Sequence, residues 1–256
     1  MTISLQTIQH ELSLVDARIN KELMIRKSGH AGQFAHLEFS RLDSIIRPAL
    51  TILVGKMFSF EKNKLVTLAS ILQLIYMSSQ IHANVTESNQ EVNDVRDGCQ
   101  LPVLVGDYLF GKFFTHLSDH DMLEYLIPLA EIICRVNEGA TLRNQHSKIN
   151  VNTSQELLYN IIKMETAELF AGCTSLGAKI SGAVEADIKI MYEFGLNFGL
   201  GFGLLEQGVS YEYVEKYFSQ AENLLKYVVS SESSKELCEL LSKFKNNEVL
   251  FQRMVG

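Results

Sequence analysis

An all-α fold is what this sequence predicts, on three observations. Apolar residues recur at spacings of three and four over long stretches, the period of a helix with one buried face. Strand signals are poor, with few alternating apolar runs and no Asn-Gly pair to mark a hairpin. Only three prolines interrupt 256 residues, of which 46% are hydrophobic and 21% charged. A chain of this length and composition is expected to form a single well-cored domain over residues 1–256.

In chain order, residues 3 to 26 read as an amphipathic helix with Ile8, Leu12, Val15 and Ile19 on one face. SGHAGQ, residues 28 to 33, is a glycine-marked loop. A second helix is expected within Leu37 to Phe58, entered near Arg47-Pro48, because a first turn tolerates proline best. The central helix follows: Leu68, Ile71, Leu72, Ile75, Met77, Ile81 and Val85 share helical spacing, with small Ala69, Ser70, Ser78 and Ser79 between them. Such a helix packs closely and is buried over much of its girth. Residues 86 to 100 (TESNQEVNDVRDGCQ) form a polar loop, and Val103 to Phe114 a shorter, more apolar helix carrying Asp107. Met122 to Val136 is helical, ending at Glu138-Gly139. In the loop HSKINVNTS, residues 146 to 154, Thr153 or Ser154 can cap a helix that starts at Gln155. Leu157 to Leu176, Asp187 to Leu205 and Tyr211 to Val229 supply long helices, and Ser234 to Lys245 a short last one.

The net charge of −7 argues against a nucleic-acid partner and against a polybasic membrane anchor. Cys99, Cys134, Cys173 and Cys238 lack C-x-x-C spacing and read as free thiols of a reducing compartment. The N-terminus shows acids and amides where a signal peptide has a basic and then an apolar region. No apolar run suggests a membrane span, so the expected location is cytoplasmic.

Four tracts in order carry a resemblance. They are IIRPALTIL (45 to 53), the Ile81-His82 that ends the central helix, LVGDYLF (104 to 110) and ETAELFAGCTSLGA (165 to 178). Together they resemble the trans-isoprenyl diphosphate synthase family over about Arg47 to Phe202. The resemblance implies an isoprenoid-synthase-like helical bundle around a central cavity. It also implies Mg²⁺ held by two aspartate clusters that neutralise a departing diphosphate, since magnesium favours hard anionic oxygens.

At the motifs this chain departs from that pattern. Where the family has DDxxD, it reads Ala83, Asn84, Val85, Thr86, Glu87. The second cluster, Phe-Gln-x-x-Asp-Asp-x-x-Asp, aligns with Phe202 to Ser210 and leaves Glu206, Gln207 and Ser210. Glu165 stands at the lysine of the Lys-Thr-Ala segment, Asp97 at the second arginine of an Arg-Arg-Gly, and the lysine-rich lid before Tyr211 has no counterpart. Acids where bases should meet a diphosphate repel it. The expectation is therefore no catalytic residue and no metal ligand on this chain, and no cofactor, with Mg²⁺ on a catalytic partner.

Vestigial substrate-binding candidates are Arg47, His82, Asn84, Glu87, Arg96 and Glu206, each with a plainer alternative. Arg47 and Arg96 read equally as surface ion pairs, His82 as a packing residue, and Glu87 and Glu206 as solvated acids. Leu104, Tyr108, Leu109, Phe113 and Phe114 are expected to form an interface, since they cannot all face inward on one helix. Three functions compete. One is a non-catalytic subunit of a heteromeric polyprenyl diphosphate synthase, an oligomer with a catalytic trans-polyprenyl diphosphate synthase subunit that makes a long chain for quinone side chains. The others are a free-standing prenyltransferase with metal held through Glu87 and Glu206, and a carrier with an isoprenoid ligand.

Overall fold

The computed structural model describes residues 5–25, 29–30, 39–59, 61–83, 100–146, 154–228 and 231–246. Among these are ten α-helices, which we number α1 to α10. A single turn of 3-10 helix, Gln6–Ile8, leads into α1 (Gln9–Leu23), which buries Ile8, Val15, Ile19 and Leu23 along one side. Helix α1 stops earlier than the sequence pattern suggests. Met24–Ile25 (β1) is extended and pairs antiparallel with Gly29–His30 (β2), a ladder too short to leave an alternating signature.

Helix α2 (Arg41–Lys56) begins well before Pro48, because the Ser40 hydroxyl caps it by accepting from the Asp43 N–H at 3.1 Å. Pro48 therefore sits inside the helix, contrary to the expected entry at Arg47-Pro48. An interior proline costs about 3 kcal/mol. Burial of every residue from Ile46 to Gly55 offsets that cost, and Gln73 Nε2 donates to the Asp43 carbonyl, at 3.2 Å, in the turn before the proline.

Helix α3 (Lys62–Ala83) is the central strut, buried continuously from Leu65 to Ile75. It is long and apolar enough to cross a membrane, unlike the sequence reading, but 83% of that span is buried inside the fold. It acts as a core helix. The small residues along it bring α4 (Gln100–Asp119) close, and Ser78 Oγ donates to the Gly106 carbonyl at 2.7 Å.

After a 3-10 turn at Leu123–Tyr125, α5 (Leu126–Gln145) runs straight through Gly139, which the sequence marked as an end. Gly139 is instead a point of close approach: a Cβ there would lie 2.7 Å from Glu165 Cγ and 2.9 Å from Glu165 N. Helix α6 (Gln155–Ile162), capped by Ser154, continues through a turn of π-helix at Lys163–Ala167 into α7 (Glu168–Ile180). Helix α8 (Glu185–Glu206) lies tight against α7, with Gly195 facing Ala171 Cα at 2.7 Å from where a Cβ would stand. Only Gln207 to Ser210 separate α8 from α9 (Tyr211–Leu225), and a Ser231 capping box starts α10 (Glu232–Lys245).

The core has two parts. One gathers α1, α2 and α8 to α10 around a knot of Phe170, Phe198, Phe202, Phe218 and Phe244. The other fills the space between α3, α4, α5 and α7 with Leu68, Ile71, Phe113, Leu117 and Leu129. Cys134, Cys173 and Cys238 are free thiols, and Cys99 lies outside the described residues.

Candidate functional site

The end of α3 carries His82. Its ring lies over Gly106, where any side chain would collide with it. His82 Nε2 is 3.3 Å from Asp107 Oδ1 and 3.4 Å from the Val103 carbonyl, and the ring sits 5.5 Å from that of Phe110. These contacts clamp α3 to α4. Asn84, Glu87 and Arg96 lie outside the described residues.

At the other signature region, α5, the π-turn and α8 converge on Arg143. Arg143 Nε donates to both Glu165 oxygens at 2.9 Å, and Nη2 donates to Oε2 at 2.6 Å. Its Nη1 donates to Gln207 Oε1 at 3.2 Å. One guanidinium thus joins the Lys-Thr-Ala position to the second-cluster position with charge-assisted bonds. Gly139 lets α5 approach closely enough for this, and the π-turn carries Glu165. Two turns earlier on α5, Arg135 Nη1 stands 3.5 Å from Glu168 Oε1, and Tyr192 donates its hydroxyl to Glu168 Oε2 at 2.7 Å. Burial, then the Glu168 hydrogen bond, push the Tyr192 phenol well above its ordinary value. Each of these acids on the π-turn and α7 therefore meets an arginine of α5. The sequence reading missed both arginines; ending the helix at Gly139 left Arg143 outside any expected helix. Glu206 is exposed at the last turn of α8.

Arg47 is not a surface residue, which corrects the expectation of a surface ion pair. It is 2% exposed, with its guanidinium carbon 3.4 Å from the centre of the Tyr76 ring and 4.9 Å from that of Phe170. Nη1 donates to the Asp43 carbonyl at 3.4 Å, while Nε has no hydrogen-bond partner among the described residues. The aromatic faces hold the cation in place of solvent. Nearby, burial pushes the Cys173 thiol up to about 12, so it stays protonated and inert.

The interface candidates on α4 divide. Leu109 and Phe113 are fully buried in the monomer, so they cannot serve an interface: they occupy the helix face turned to α3 and α5. Leu104 (63% exposed) and Phe114 (54%) point outward, and Tyr108 is half-buried. Leu123 in the 3-10 turn and Ile127 at the start of α5, which the sequence reading missed, are exposed apolar residues as well.

A family model described as polyprenyl synthetase matches residues 44–206. The chain belongs to that family. Among relatives, octaprenyl diphosphate synthase of Haemophilus influenzae is 25% identical over 174 residues, 65% of this chain and 52% of that one. The chain thus spans about half the length of the relatives it matches in sequence. A decaprenyl diphosphate synthase from Rhodobacter capsulatus superposes with a TM-score of 0.80 at 18% identity, covering 94% of this chain and 97% of that chain. The geranyl diphosphate synthase small subunit of Antirrhinum majus gives 0.74 at 17% identity, covering 94% of this chain and 100% of that one. Both superpositions establish the polyprenyl synthetase fold for this chain, all-α as the sequence predicted.

The family's magnesium does not fit the donors that the described residues offer. Ala83 has no side-chain oxygen, Gln207 is engaged by Arg143, and a fixed cation stands beside the second cluster. No group of three or more His, Cys, Asp or Glu able to hold a metal occurs among the described residues.

Proposed function

We infer that this chain is a non-catalytic subunit of a heteromeric polyprenyl diphosphate synthase that makes a long isoprenoid chain. The observation that carries the reading is the Arg143 bridge between Glu165 and Gln207. Prenyl transfer starts with departure of a diphosphate, and the family lowers that barrier by gathering cationic charge around it. Here the position of the family's lysine is an acid, and the nearest arginine is spent on that acid. The scaffold is kept without the charges that make it catalytic. Mg²⁺, primer and chemistry then belong to the partner, and this chain completes the assembly through the outward faces of α4 and α5. A small-subunit fold among the structural neighbours supports the reading. The cytoplasm is the compartment it fits.

The test mixes this chain with a catalytic trans-polyprenyl diphosphate synthase, an allylic primer, isopentenyl diphosphate and Mg²⁺. The pair is expected to make a longer product than the catalytic chain does alone. An identical product at an identical rate without this chain refutes the reading.

A further inference from the structure

Gly111 stands near the middle of α4, on its outer side. Every other glycine inside a helix, among the described residues, would place a Cβ under 3.0 Å from a neighbouring atom, so packing within the chain accounts for it. A Cβ at Gly111 would meet nothing within 4 Å. Glycine inside a helix is destabilising relative to alanine, and no contact within this chain offsets that here. Leu104, Asp107, Gly111 and Phe114 are spaced three and four apart and are all exposed, so they line one outward stripe. A missing side chain between Leu104 and Phe114 fits the close approach of a helix from another chain.

The charge on these outward faces has one sign. Between Val103 and Cys134 the exposed charged residues are Asp107, Asp119, Asp121, Glu124 and Glu131, all acids. Asp107 reaches His82 Nε2 at 3.3 Å yet keeps 64% of its side chain exposed. Glu124 and Glu131 flank exposed Ile127 at spacings of three and four. The nearby cations are turned to acids of the chain itself: Lys112 Nζ is 2.9 Å from Glu22 Oε2, and Arg135 Nη1 is 3.5 Å from Glu168 Oε1. Two copies of this chain set face to face would bring acids against acids, which disfavours the pair, whereas lysines or arginines opposite would steer a partner in.

We propose that the acids on the outward faces of α4 and α5 keep this chain from pairing with itself and select a subunit whose facing helices carry lysine or arginine around an apolar strip, with Gly111 as the point of closest approach. The inference rests on the subunit reading and adds what the partner must present. A synthase of the same family shares this fold, so a copy of this chain with its charges reversed stands in for it.

Sedimentation equilibrium of the full chain tests it, with a second full chain carrying Glu124→Lys and Glu131→Lys as the probe. The parent alone is expected to stay monomeric. The equimolar mixture should pair at least tenfold more tightly than the parent pairs with itself at about 0.05 M salt, and about 0.5 M salt should remove that advantage by screening. Gly111→Leu in the parent, at a position open to solvent, should stay helical by circular dichroism and weaken pairing with the probe at least tenfold. Gly111→Ala, which the helix favours, takes its place if Gly111→Leu does not fold. The proposal fails if the mixture does not pair, if the parent pairs with itself as tightly, if salt leaves the advantage unchanged, or if a folded Gly111 variant pairs like the parent. Because no prenyl synthase is present, each of these failures leaves the product-length test of the subunit reading standing.

Discussion

Two regions of this molecule treat their side chains in opposite ways. Where α5 meets the π-turn and α8, every charged group named there has found a partner: Arg143 holds Glu165 and Gln207, and Arg135 approaches Glu168. On the outer faces of α4 and α5, by contrast, Leu104, Phe114, Leu123 and Ile127 remain open to solvent. The difference follows from the cost of leaving each kind of group alone. A part-buried charge without a partner is expensive, so the acids of the π-turn and α7 are paired with arginines. Apolar side chains at the surface cost much less and persist where a second protein covers them. The charged region closed on itself, and the apolar face stayed open.

The largest expected effect separates the two faces of α4. Phe113→Ala should lower the stability of the isolated chain by about 3–5 kcal/mol in urea unfolding, because it empties a fully buried site. The paired change Leu104→Asp with Phe114→Asp should leave that stability within about 0.5 kcal/mol per site but abolish co-purification with the proposed catalytic subunit. Equal effects from both sets would erase the distinction between an inner face and a docking face.

At the closed end, Arg143→Ala should cost about 1–3 kcal/mol, since it strands the largely buried Glu165 carboxylate without its donors. Neither this change nor Glu165→Lys should bring product formation to the isolated chain in a radiolabelled isopentenyl diphosphate assay. Activity gained from Glu165→Lys alone would show that a single charge had kept a complete site silent.

The smallest effect concerns pH and lies where α1 meets α4. Burial holds His116 below its ordinary value; the Glu22 carboxylate opposes this, while Arg18, His120 and Lys112 add to the lowering. Its Nε2 sits 3.5 Å from Glu22 Oε1, and Lys112 Nζ holds the other oxygen at 2.9 Å. The unfolded chain therefore binds this proton more readily than the folded one. Stability is full above the ordinary histidine value of about 6.5 and declines as pH falls through it toward the lower folded value. His116→Asn should flatten that part of the Tm-against-pH curve, and an unchanged slope would assign it to other groups.

Most helices, the start of α6 at Gln155 after a Thr153 or Ser154 cap, the buried central helix and family membership were legible in the sequence, because they depend on local periodicity and short motifs. So was the absence of aspartates from the described part of each cluster, at Ala83 and at Glu206 to Ser210. What replaced them was decided by the tertiary structure. Pro48 and Gly139 looked like helix boundaries, yet both lie inside helices, because burial around Ile46 to Gly55 and close packing on Glu165 outweigh local preference. Arg143 and Gln207 are far apart in sequence and meet only when α5 and α8 flank the π-turn. Helical spacing alone does not say which side of α4 faces the core, so Leu109 and Phe113 could be told from Leu104 and Phe114 only once α3 and α5 were in place. Periodicity is a property of one segment, whereas burial and charge pairing belong to whichever segments the fold brings together.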